Sequence, residues 1–522
     1  MQLKLFYHFL FFYSIKLIDS SKILFIVPSL SNSLQLQAGR LADILVLNGH
    51  NVTFFIPELV SINKANGTKL AKIIRMEGFR DRFLESLRDY GELFDPNTNT
   101  FYARFKLISS QIDFCGDVLE RIDEIEYLKH EKFDLILSNQ IDYCDVALAH
   151  YFEPKAFAWI STGPLHENNN YVLGIPAMPS YLPTLEDSEN GAEMSFPERI
   201  HNFWNWVLAT FLHRYVSFRV NRLFQKHISP DFPNVDEICA KSSLVFVNND
   251  EFLDFARPIL HKTIYIGGAG LQQPKSLTPF FENIMNKGSR GIVLVSFGTA
   301  VYTPSFSIQN RKEMFKAFSE FPEYHFLMKI SSGDNGTIEL AKNISNIEFV
   351  EWFPQSDLLH HSNIKAFISH GGFNSVLETA RTGIPAIILP FFYDQFRNGK
   401  MLEFREMGKI ISKKDFGKES LKNALKEVLY NPKYKKAAER MKNLITKKPN
   451  QPDETFLKWI NFLLEQESLP ELIPIGAKMN VISYLSLDVI SVFILCFILF
   501  IWSIKVCLKK LFFSFSFKIK VE

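Results

Sequence analysis

Residues 352–395 read WFPQSDLLHHSNIKAFISHGGFNSVLETARTGIPAIILPFFYDQ. Within this segment, residues 365–369 predict a strand that runs into Gly371 and Gly372, and a helix is expected to begin near Ser375. Two glycines allow the backbone to approach a ligand closely, and the free amide groups and dipole of a helix N-terminus favour a diphosphate. The segment therefore predicts an anion site at the carboxyl edge of a sheet.

Predicted strands and helices alternate on both sides of this segment. Further strands are predicted at residues 291–297, 325–330, 347–350 and 386–389, with helical patterns between them. An earlier series has strands at 22–27, 51–56, 133–138 and 156–161, with a helical pattern at 34–48. A strand, a helix and a second strand within so short a span require a parallel sheet. The sequence therefore predicts an α/β fold with two Rossmann-like halves.

Three other segments cover or connect these series. Residues 167–197 are rich in Asn, Pro and Glu, which predicts a surface loop. Residues 200–224 predict an aromatic-rich helix. Residues 267–289 contain glycines, prolines and polar residues, and this composition predicts the linker between the two halves.

The segment from Trp352 to Gln395 resembles the signature of UDP-dependent glycosyltransferases, in particular the membrane-bound UDP-glucuronosyltransferases. Upstream, Val293-Leu-Val-Ser296-Phe-Gly298-Thr299 resembles the first strand and phosphate-side loop of the same family's C-terminal domain. The similarity covers roughly residues 22–464. It implies a GT-B fold, in which two Rossmann-like domains face a cleft, with the UDP-sugar in the C-terminal domain and the acceptor pocket in the N-terminal domain.

The resemblance and the chemistry of the side chains together give a set of candidate donor-binding residues. Trp352 offers a face on which uracil can stack, and Gln355 can bond a base edge. Glu378, one turn into the helix, can accept both ribose hydroxyls, while Asp394 and Gln395 suit the hydroxyls of the sugar. The full predicted UDP-sugar-binding set is Ser296, Gly298, Thr299, Trp352, Gln355, His370, Gly371, Gly372, Asn374, Ser375, Glu378, Asp394 and Gln395.

Two of these assignments have alternatives. His370 can donate to a phosphate oxygen or, if protonated, offset the charge on the departing UDP. Asn374 and Ser375 add further donors. Ser375 and Glu378 also have the spacing of a capping box, which explains both residues without a ligand.

The catalytic residues of the family are not found at their expected positions. In the family, a histidine after the first strand deprotonates the acceptor and a carboxylate at another strand end orients that histidine. Counting from Gly49-His50 places Leu34 at the base position, and counting from Phe133-Asp134 places Asn139 at the carboxylate position. Neither side chain can move a proton. Asp142 is a possible substitute, with a solvated loop residue as the alternative, and Leu34 also fits a packed position on its helix.

Both ends of the chain are apolar. Lys4 precedes an apolar run at residues 5–15 and then small and polar residues, which predicts a secretory signal peptide. Residues 481–504 contain one ionisable residue, Asp488, and lysines follow directly, so a single C-terminal helix is expected to cross a membrane with its tail in the cytosol. Lys518 and Lys520 resemble a dilysine retrieval signal. Four sequons fit a lumenal body, at asparagines 51, 66, 335 and 343.

Composition excludes several other classes of protein. The 522 residues include 58 basic and 56 acidic side chains, and no long basic block lies outside the tail, so nucleic-acid binding is not expected. The five cysteines lack metal-ligand spacing and specify neither a metal site nor a disulfide scaffold. No Gly-x-Gly-x-x-Gly follows the first strand of either half, which disfavours a nicotinamide enzyme. No cofactor is predicted, because the UDP-sugar is a substrate.

The predicted organisation has seven parts: a signal peptide at 1–20, an N-terminal acceptor-binding domain at 21–266, a linker at 267–289, a C-terminal UDP-sugar-binding domain at 290–455, an extension at 456–480, a transmembrane helix at 481–504 and a cytosolic tail at 505–522. The resemblance implies a single-pass type I protein of the endoplasmic reticulum membrane. It also implies an inverting glycosyltransferase that moves glucuronic acid or glucose from a UDP-sugar to a small lipophilic acceptor. Because Leu34 and Asn139 occupy the catalytic positions, an impaired UDP-sugar-binding protein or regulatory subunit is the alternative. The sequence leaves open the identity of the acceptor, the identity of the donor sugar and whether the protein forms a homo-oligomer.

Overall fold

The computed structural model describes residues 20–88, 101–185, 188–298 and 301–519. Most of the predicted signal peptide, the candidate donor residue Thr299 and Lys520 of the dilysine pair lie outside these ranges. Two sheets organise the described residues: a seven-stranded sheet in the first half of the chain and a six-stranded sheet in the second half. Neighbouring strands pair in parallel throughout both sheets. The predicted α/β class with two Rossmann-like halves is therefore confirmed.

The elements of the first half are, in chain order, β1 Lys22–Ile26, α1 Asn32–Leu47, β2 Asn51–Pro57, β3 Lys72–Met76, α2 Arg82–Arg88, α3 Phe101–Glu120, α4 Tyr127–His130, β4 Leu135–Asn139, α5 Tyr143–Tyr151, β5 Ala156–Ser161, α6 Glu167–Leu173, α7 Phe196–His227, α8 Val235–Ala240, β6 Leu244–Val247 and β7 Thr263–Tyr265.

The elements of the second half are α9 Pro279–Met285, β8 Gly291–Ser296, α10 Ile308–Ser319, β9 Tyr324–Lys329, α11 Asn335–Leu340, β10 Ile347–Val350, α12 Gln355–Leu359, β11 Ile364–Ser369, α13 Phe373–Thr382, β12 Ala386–Ile388, α14 Gln395–Phe404, β13 Gly408–Ile410, α15 Lys418–Tyr430, α16 Pro432–Lys447, α17 Pro452–Gln466, α18 Val481–Tyr484 and α19 Leu487–Ile519. Helix α9 lies within the segment predicted as the linker.

The strand order is β3-β2-β1-β4-β5-β6-β7 in the first sheet and β10-β9-β8-β11-β12-β13 in the second. Both sheets are covered on each face. Their strands are short apolar runs, such as KILFI in β1 and GIVLVS in β8, because a parallel sheet buries side chains on both sides. In the first domain, α1 and α17 cover one face, and α3, α5, α7 and α8 cover the other. In the second domain, α10 and α15 lie on one face and α9, α12, α13, α14 and α16 on the other.

Helix α17 returns the chain from the second domain to the first. Phe456, Ile460 and Leu463 are fully buried in the core formed by α1 and the first sheet. Phe456 packs edge-on against Phe246 of β6, with ring centroids 5.0 Å apart. The two domains are therefore joined at two places along the sequence, which ties their relative position more firmly than one linker does.

The segment at residues 167–197, predicted as a surface loop, folds differently. It contains α6, and Asn169, Asn170 and Leu182 are buried. Asn169 donates to the carbonyl of Gln140 and accepts from the hydroxyl of Tyr143, so its polar groups are satisfied inside the domain. A loop that carries its own internal hydrogen-bond partners can be buried, and composition alone does not reveal those partners.

Two of the five cysteines form a disulfide. Cys115 of α3 and Cys144 of α5 are bonded, across a sequence separation of 29 residues. The expectation that the cysteines specify no disulfide scaffold is therefore wrong for this pair. The sequence spacing of the cysteines does not indicate this disulfide, because the two residues meet only when α3 and α5 pack on the same face of the sheet.

Candidate functional site

The candidate site lies where the order of strands in the second sheet reverses. β8 pairs with β9 on one side and β11 on the other, and Ser296 at the end of β8 is in register with Ser369 at the end of β11. The loops that follow these two strands therefore begin side by side. Such a switch point at the carboxyl edge opens a crevice in which α/β proteins bind ligands.

Gly298 and Gly372 form a slot for the imidazole of His370. A Cβ added to Gly298 would lie 2.8 Å from His370 Cε1, and one added to Gly372 would lie 2.4 Å from His370 Nε2. Both distances are far below van der Waals contact. Gly298 also has a φ of +79°, which favours glycine by itself. The glycines were predicted to let the backbone lie close to a ligand. In the structure, the group that they bring close to the backbone is the imidazole of His370.

The imidazole of His370 is neutral at pH 7. Burial lowers the pKa of His370 to about 4, and the positive charge of Lys329 acts in the same direction. A hydrogen bond with the backbone of Ser296 opposes the shift without overcoming it. Of the two predicted roles for His370, its burial and the charge of Lys329 favour the neutral hydrogen-bond donor over the imidazolium.

Lys329 supplies the positive charge at this edge of the sheet. It is the last residue of β9, next to β8, and its Nζ donates to the carbonyl of Gly298 at 3.4 Å. Burial lowers the pKa of Lys329, because its ammonium has lost water. The sequence interpretation missed this residue, although a lysine at the carboxyl end of a strand beside β8 was a usable signal.

Helix α13 begins with free backbone amides. Its N-cap is Gly372, and no side chain caps it. Ser375 lies at the third position of the helix, so the capping-box alternative for Ser375 and Glu378 is wrong. The Ser375 hydroxyl instead accepts from Nε2 of Gln355 at 3.0 Å. The helix start therefore keeps its donors available for an anion.

Gln355 and Glu378 lie together, and Trp352, three residues before Gln355, is exposed. Nε2 of Gln355 donates to Glu378 Oε2 at 2.7 Å, and Trp352 is 67% exposed. Burial raises the pKa of Glu378, while Gln355 and the charge of Arg40 lower it. Arg40 belongs to α1 of the first domain, and its proximity brings a second cation to the site that the sequence interpretation did not include.

Asp394 and Gln395 begin α14, and each is already held by the protein. Gln395 Oε1 accepts from the amide of Phe391 at 2.8 Å, and Asp394 Oδ2 accepts from Nδ2 of Asn398 at 2.8 Å. The same Asn398 nitrogen donates to the carbonyl of Gly371 at 2.9 Å. Asn398, which sequence interpretation missed, thus fixes the loop of Asp394 against the glycine pair.

The base position and its predicted partner are both buried in the first domain. Leu34 is 4% exposed and packs in the core beneath α1. Asn139 ends β4, and its Oδ1 accepts from the amide of Ile141 at 3.0 Å. A packed leucine therefore occupies the predicted base position. An asparagine whose side chain holds its own loop occupies the predicted carboxylate position.

Asp142, the possible substitute, is buried at the N-cap of α5. Its Oδ1 accepts from the amide of Cys144 at 2.8 Å, and burial raises the pKa of Asp142 to about 6. The alternative that Asp142 is a solvated loop residue is wrong. Neighbouring Asp145 is buried as well, and burial raises its pKa well above the usual range.

The start of α13 is bridged to the first domain. Asn374 Nδ2 donates to the carbonyl of Ser33 at 3.4 Å, and Asn374 Oδ1 accepts from Nδ2 of Asn248 at 3.4 Å. Across the same cleft, the Tyr393 hydroxyl lies 3.3 Å from Nδ1 of His166. The donor-side residues therefore face the first domain directly, as expected for a site between two domains.

Comparison with solved structures identifies this architecture. A glycosyltransferase of kitacinnamycin superposes with a TM-score of 0.59 at 16% identity, covering 87% of this chain and all of the other. Os79 from O. sativa, solved in complex with UDP, superposes with a TM-score of 0.57 at 17% identity, covering 85% of this chain and all of Os79. At these identities the likeness shows the fold alone, and the fold is GT-B as predicted.

Sequence comparison covers nearly the whole chain. The family model described as UDP-glucoronosyl and UDP-glucosyl transferase matches residues 21–521. The Caenorhabditis elegans protein ugt-50 is 33% identical over 488 residues, or 92% of each chain. Human UDP-glucuronosyltransferase 3A2 is 28% identical over 87% of each chain. The chain therefore belongs to the family of UDP-glucoronosyl and UDP-glucosyl transferases.

Proposed function

We propose that the protein binds a UDP-sugar at the carboxyl edge of the second sheet and transfers its sugar, glucuronic acid or glucose, to a small lipophilic acceptor with inversion. The observation that carries this proposal is the juxtaposition of an uncapped helix start at Gly372, a neutral His370 and the ammonium of Lys329. These groups converge where family membership and the UDP complex of a structural neighbour lead us to expect a diphosphate.

In the proposed reaction, the acceptor oxygen or nitrogen attacks the anomeric carbon from the side opposite UDP. The bond from this carbon to the acceptor forms, the bond to the diphosphate oxygen breaks, and UDP leaves with the electron pair. Lys329 and the amides of α13 stabilise the charge that develops on the leaving group, and His370 donates a hydrogen bond to it. The acceptor's proton goes to a base or to solvent.

The remaining donor contacts follow from the same geometry. Trp352 is exposed enough to stack on uracil, and Glu378 can accept the ribose hydroxyls once Gln355 shares its hydrogen bond. Asp394 faces the sugar, while Gln395 has only its amide nitrogen to offer because its oxygen holds the loop. We propose that Asn398 acts through Asp394, whose carboxylate it orients.

A specific observation favours a second candidate function. Because Leu34 is packed and Asn139 is an amide, neither of the two positions where the family resemblance places the catalytic pair can take a proton from a hydroxyl acceptor. Positioned general-base help is worth roughly 10²- to 10⁴-fold. A protein that binds UDP-sugar and transfers it slowly to neutral alcohols, or acts as a regulatory subunit, fits these residues.

Three features of the chain support a lumenal location for its main body. The Cys115–Cys144 disulfide requires an oxidising compartment. The asparagines of all four sequons are exposed. Leu487–Lys510 is apolar enough to cross a membrane, and none of it is buried inside the protein. We therefore propose a body in the lumen of the endoplasmic reticulum, a single span and a cytosolic tail.

Protease added to intact microsomes tests this topology. We expect it to remove only the segment after about Lys505, because the bilayer protects the body. A detergent-treated sample is the control in which the body becomes accessible. Digestion of the body in sealed microsomes contradicts the proposed location and leaves the proposed chemistry untouched.

A donor screen with the full-length protein tests the proposed chemistry. UDP-glucose and UDP-glucuronate are each incubated with a phenol, an alcohol and an amine acceptor, and both transfer and hydrolysis are measured. Transfer from either donor supports the first function. Binding of UDP without transfer to any acceptor supports the second, and failure to bind either nucleotide sugar contradicts both.

A further inference from the structure

Helix α7 exposes a row of large apolar side chains. Phe211 is 60% exposed and Phe218 is 56% exposed, although phenylalanine is usually buried. Four more large apolar residues on the same helix are also exposed. The complete row, here called the α7 stripe, consists of Phe196, Ile200, Phe203, Trp204, Phe211 and Phe218.

The six residues share one side of the helix. At 3.6 residues per turn they fall within an arc of about 100°, and they extend along the helix for about 33 Å. The opposite side packs into the first domain through Ala209, Val220 and Phe224, all buried. Half-buried Val207 and exposed Arg214 lie within the same arc, on either side of Phe211. The stripe points away from the core of its own domain. Single exposed apolar residues need no explanation, but six large ones on one side of a helix mark an interaction surface.

The residues around the stripe are basic. Arg199, Arg214, Arg219, Arg222 and Lys226 lie on α7, with Glu198 as its one acidic residue. Two of these arginines lie over rings of the stripe: Arg199 is 5.7 Å from the ring of Phe196, and Arg222 is 5.4 Å from that of Phe218. Aromatic rings flanked by long cationic side chains are typical of helices that lie in a lipid interface.

Contacts connect the stripe to the apolar C-terminal helix. The guanidinium of Arg214 lies 5.2 Å from the ring of Tyr171, and that ring lies 6.3 Å from the ring of Tyr484. Tyr484 is three residues before α19 begins at Leu487. In addition, the turn Ile475–Lys478 packs against α6 and α8, which both pack against α7. The helical layer that carries the stripe is thus held next to the place where the chain would enter a bilayer.

We propose that the α7 stripe lies in the surface of the membrane that α19 crosses, as a second point of attachment for the N-terminal domain. The lipid surface is favoured over a second copy of the chain by the continuity with the anchor and by the flanking arginines. The proposal rests on the proposed topology, in which α19 spans the bilayer, and not on the proposed transfer reaction.

Site-directed fluorescence in nanodiscs tests the proposal with the full chain. In a background with Cys496→Ala and Cys507→Ala, the free thiol that stays is the buried Cys239. Exposed cysteines are introduced one at a time as F211C and F218C and labelled with an environment-sensitive dye. F493C, within α19, serves as the positive reference. F280C on α9 is the matched control, because Phe280 is 54% exposed but lies in the second domain. Nitroxide-labelled phosphatidylcholine is the quencher.

We expect quenching and a blue-shifted emission at F211C and F218C, as at F493C, and neither change at F280C. Quenching at F493C alone contradicts the α7 proposal while supporting the span. Energy transfer between copies labelled at residue 211, without lipid quenching, shows that a second chain covers the stripe and also overturns the proposal. Absence of quenching at F493C contradicts the topology on which the proposal rests.

Discussion

Asn374 Nδ2 donates to the carbonyl of Ser33 across the cleft, at a distance of 3.4 Å. This contact brings the first turn of α13, where we expect the diphosphate, next to the first turn of α1. Leu34 follows Ser33 directly, so the position of the missing base lies beside the donor site. The position that the family resemblance gives to the base therefore lies beside the proposed donor site, although the Leu34 side chain itself packs in the core.

Restoring the catalytic pair is expected to increase transfer to hydroxyl acceptors. Leu34→His combined with Asn139→Asp should raise kcat/KM by up to roughly 10²- to 10⁴-fold, the usual range for general-base catalysis. The double variant should exceed the sum of the single variants, because the carboxylate acts through the imidazole that it orients. Transfer to amines should change less.

Leu36→His is the matched control for this pair. Leu36 is exposed on the same helix, so its histidine adds the same group away from the buried position. Thermal unfolding of each variant separates lost stability from lost chemistry, since Leu34 is packed. A wild type already as fast toward alcohols as its histidine-bearing relatives contradicts the assignment and points to Asp142 as the base.

Filling the slot around His370 is expected to weaken UDP binding. Gly372 has φ −59° and ψ 137°, which alanine tolerates, so Gly372→Ala acts through the collision of its Cβ with His370 Nε2. Gly191→Ala, where a Cβ meets nothing within 4 Å, is the control. Calorimetry should show that adding His370→Ala to Gly372→Ala costs little more affinity. Full additivity of the two changes indicates that the imidazole is not what the new methyl group displaces.

Lys329 is expected to contribute to donor affinity through its charge. Lys329→Met should weaken UDP binding by about 10- to 100-fold, which corresponds to about 1.5–3 kcal/mol for a hydrogen bond to a charged group. Lys426→Met, which removes an exposed lysine from α15, should leave affinity unchanged. If uridine, which lacks phosphate, loses as much affinity as UDP in Lys329→Met, the charge interaction is not the cause.

The buried neutral state of His370 predicts a particular loss of stability in acid. Its pKa in the folded protein is about 4, below the ordinary value of about 6.5. Between these values the unfolded chain binds a proton that the native chain does not, so the native state loses stability as the pH falls from 6.5 to 4. His370→Gln removes this contribution. Denaturation at several pH values should show a shallower acid decline for His370→Gln than for wild type, and parallel curves contradict the assignment.

Much of the architecture was predictable because it follows from local patterns. Apolar runs such as KILFI, alternating with helical periodicity, specify parallel strands, and the glycine pair at 371–372 specifies a break before a helix. Helix α13 begins at Phe373, two residues before the predicted start near Ser375.

Features that depend on distant parts of the chain were not predictable. The disulfide, the position of Arg40 near Glu378 and the bridge from Asn374 to Ser33 each join segments far apart in sequence. Burial of Asn169 likewise depends on Gln140, which follows β4, and on Tyr143 of α5. Lys329 differs from these features, because the sequence indicates its place at the end of a strand. Only the nearness of Lys329 to His370 requires the structure.

The central claim is that the edge of the second sheet binds UDP, and thermal unfolding of the full-length protein tests it most directly. UDP at 100 times its Kd should stabilise wild type by about 2.7 kcal/mol. Trp352→Ala and Glu378→Ala should show a much smaller effect at the same UDP concentration, and Glu339→Ala, an exposed carboxylate on α11, should behave as wild type. If the Trp352 and Glu378 variants fold and are stabilised by UDP as fully as wild type, the site is elsewhere and the account is contradicted.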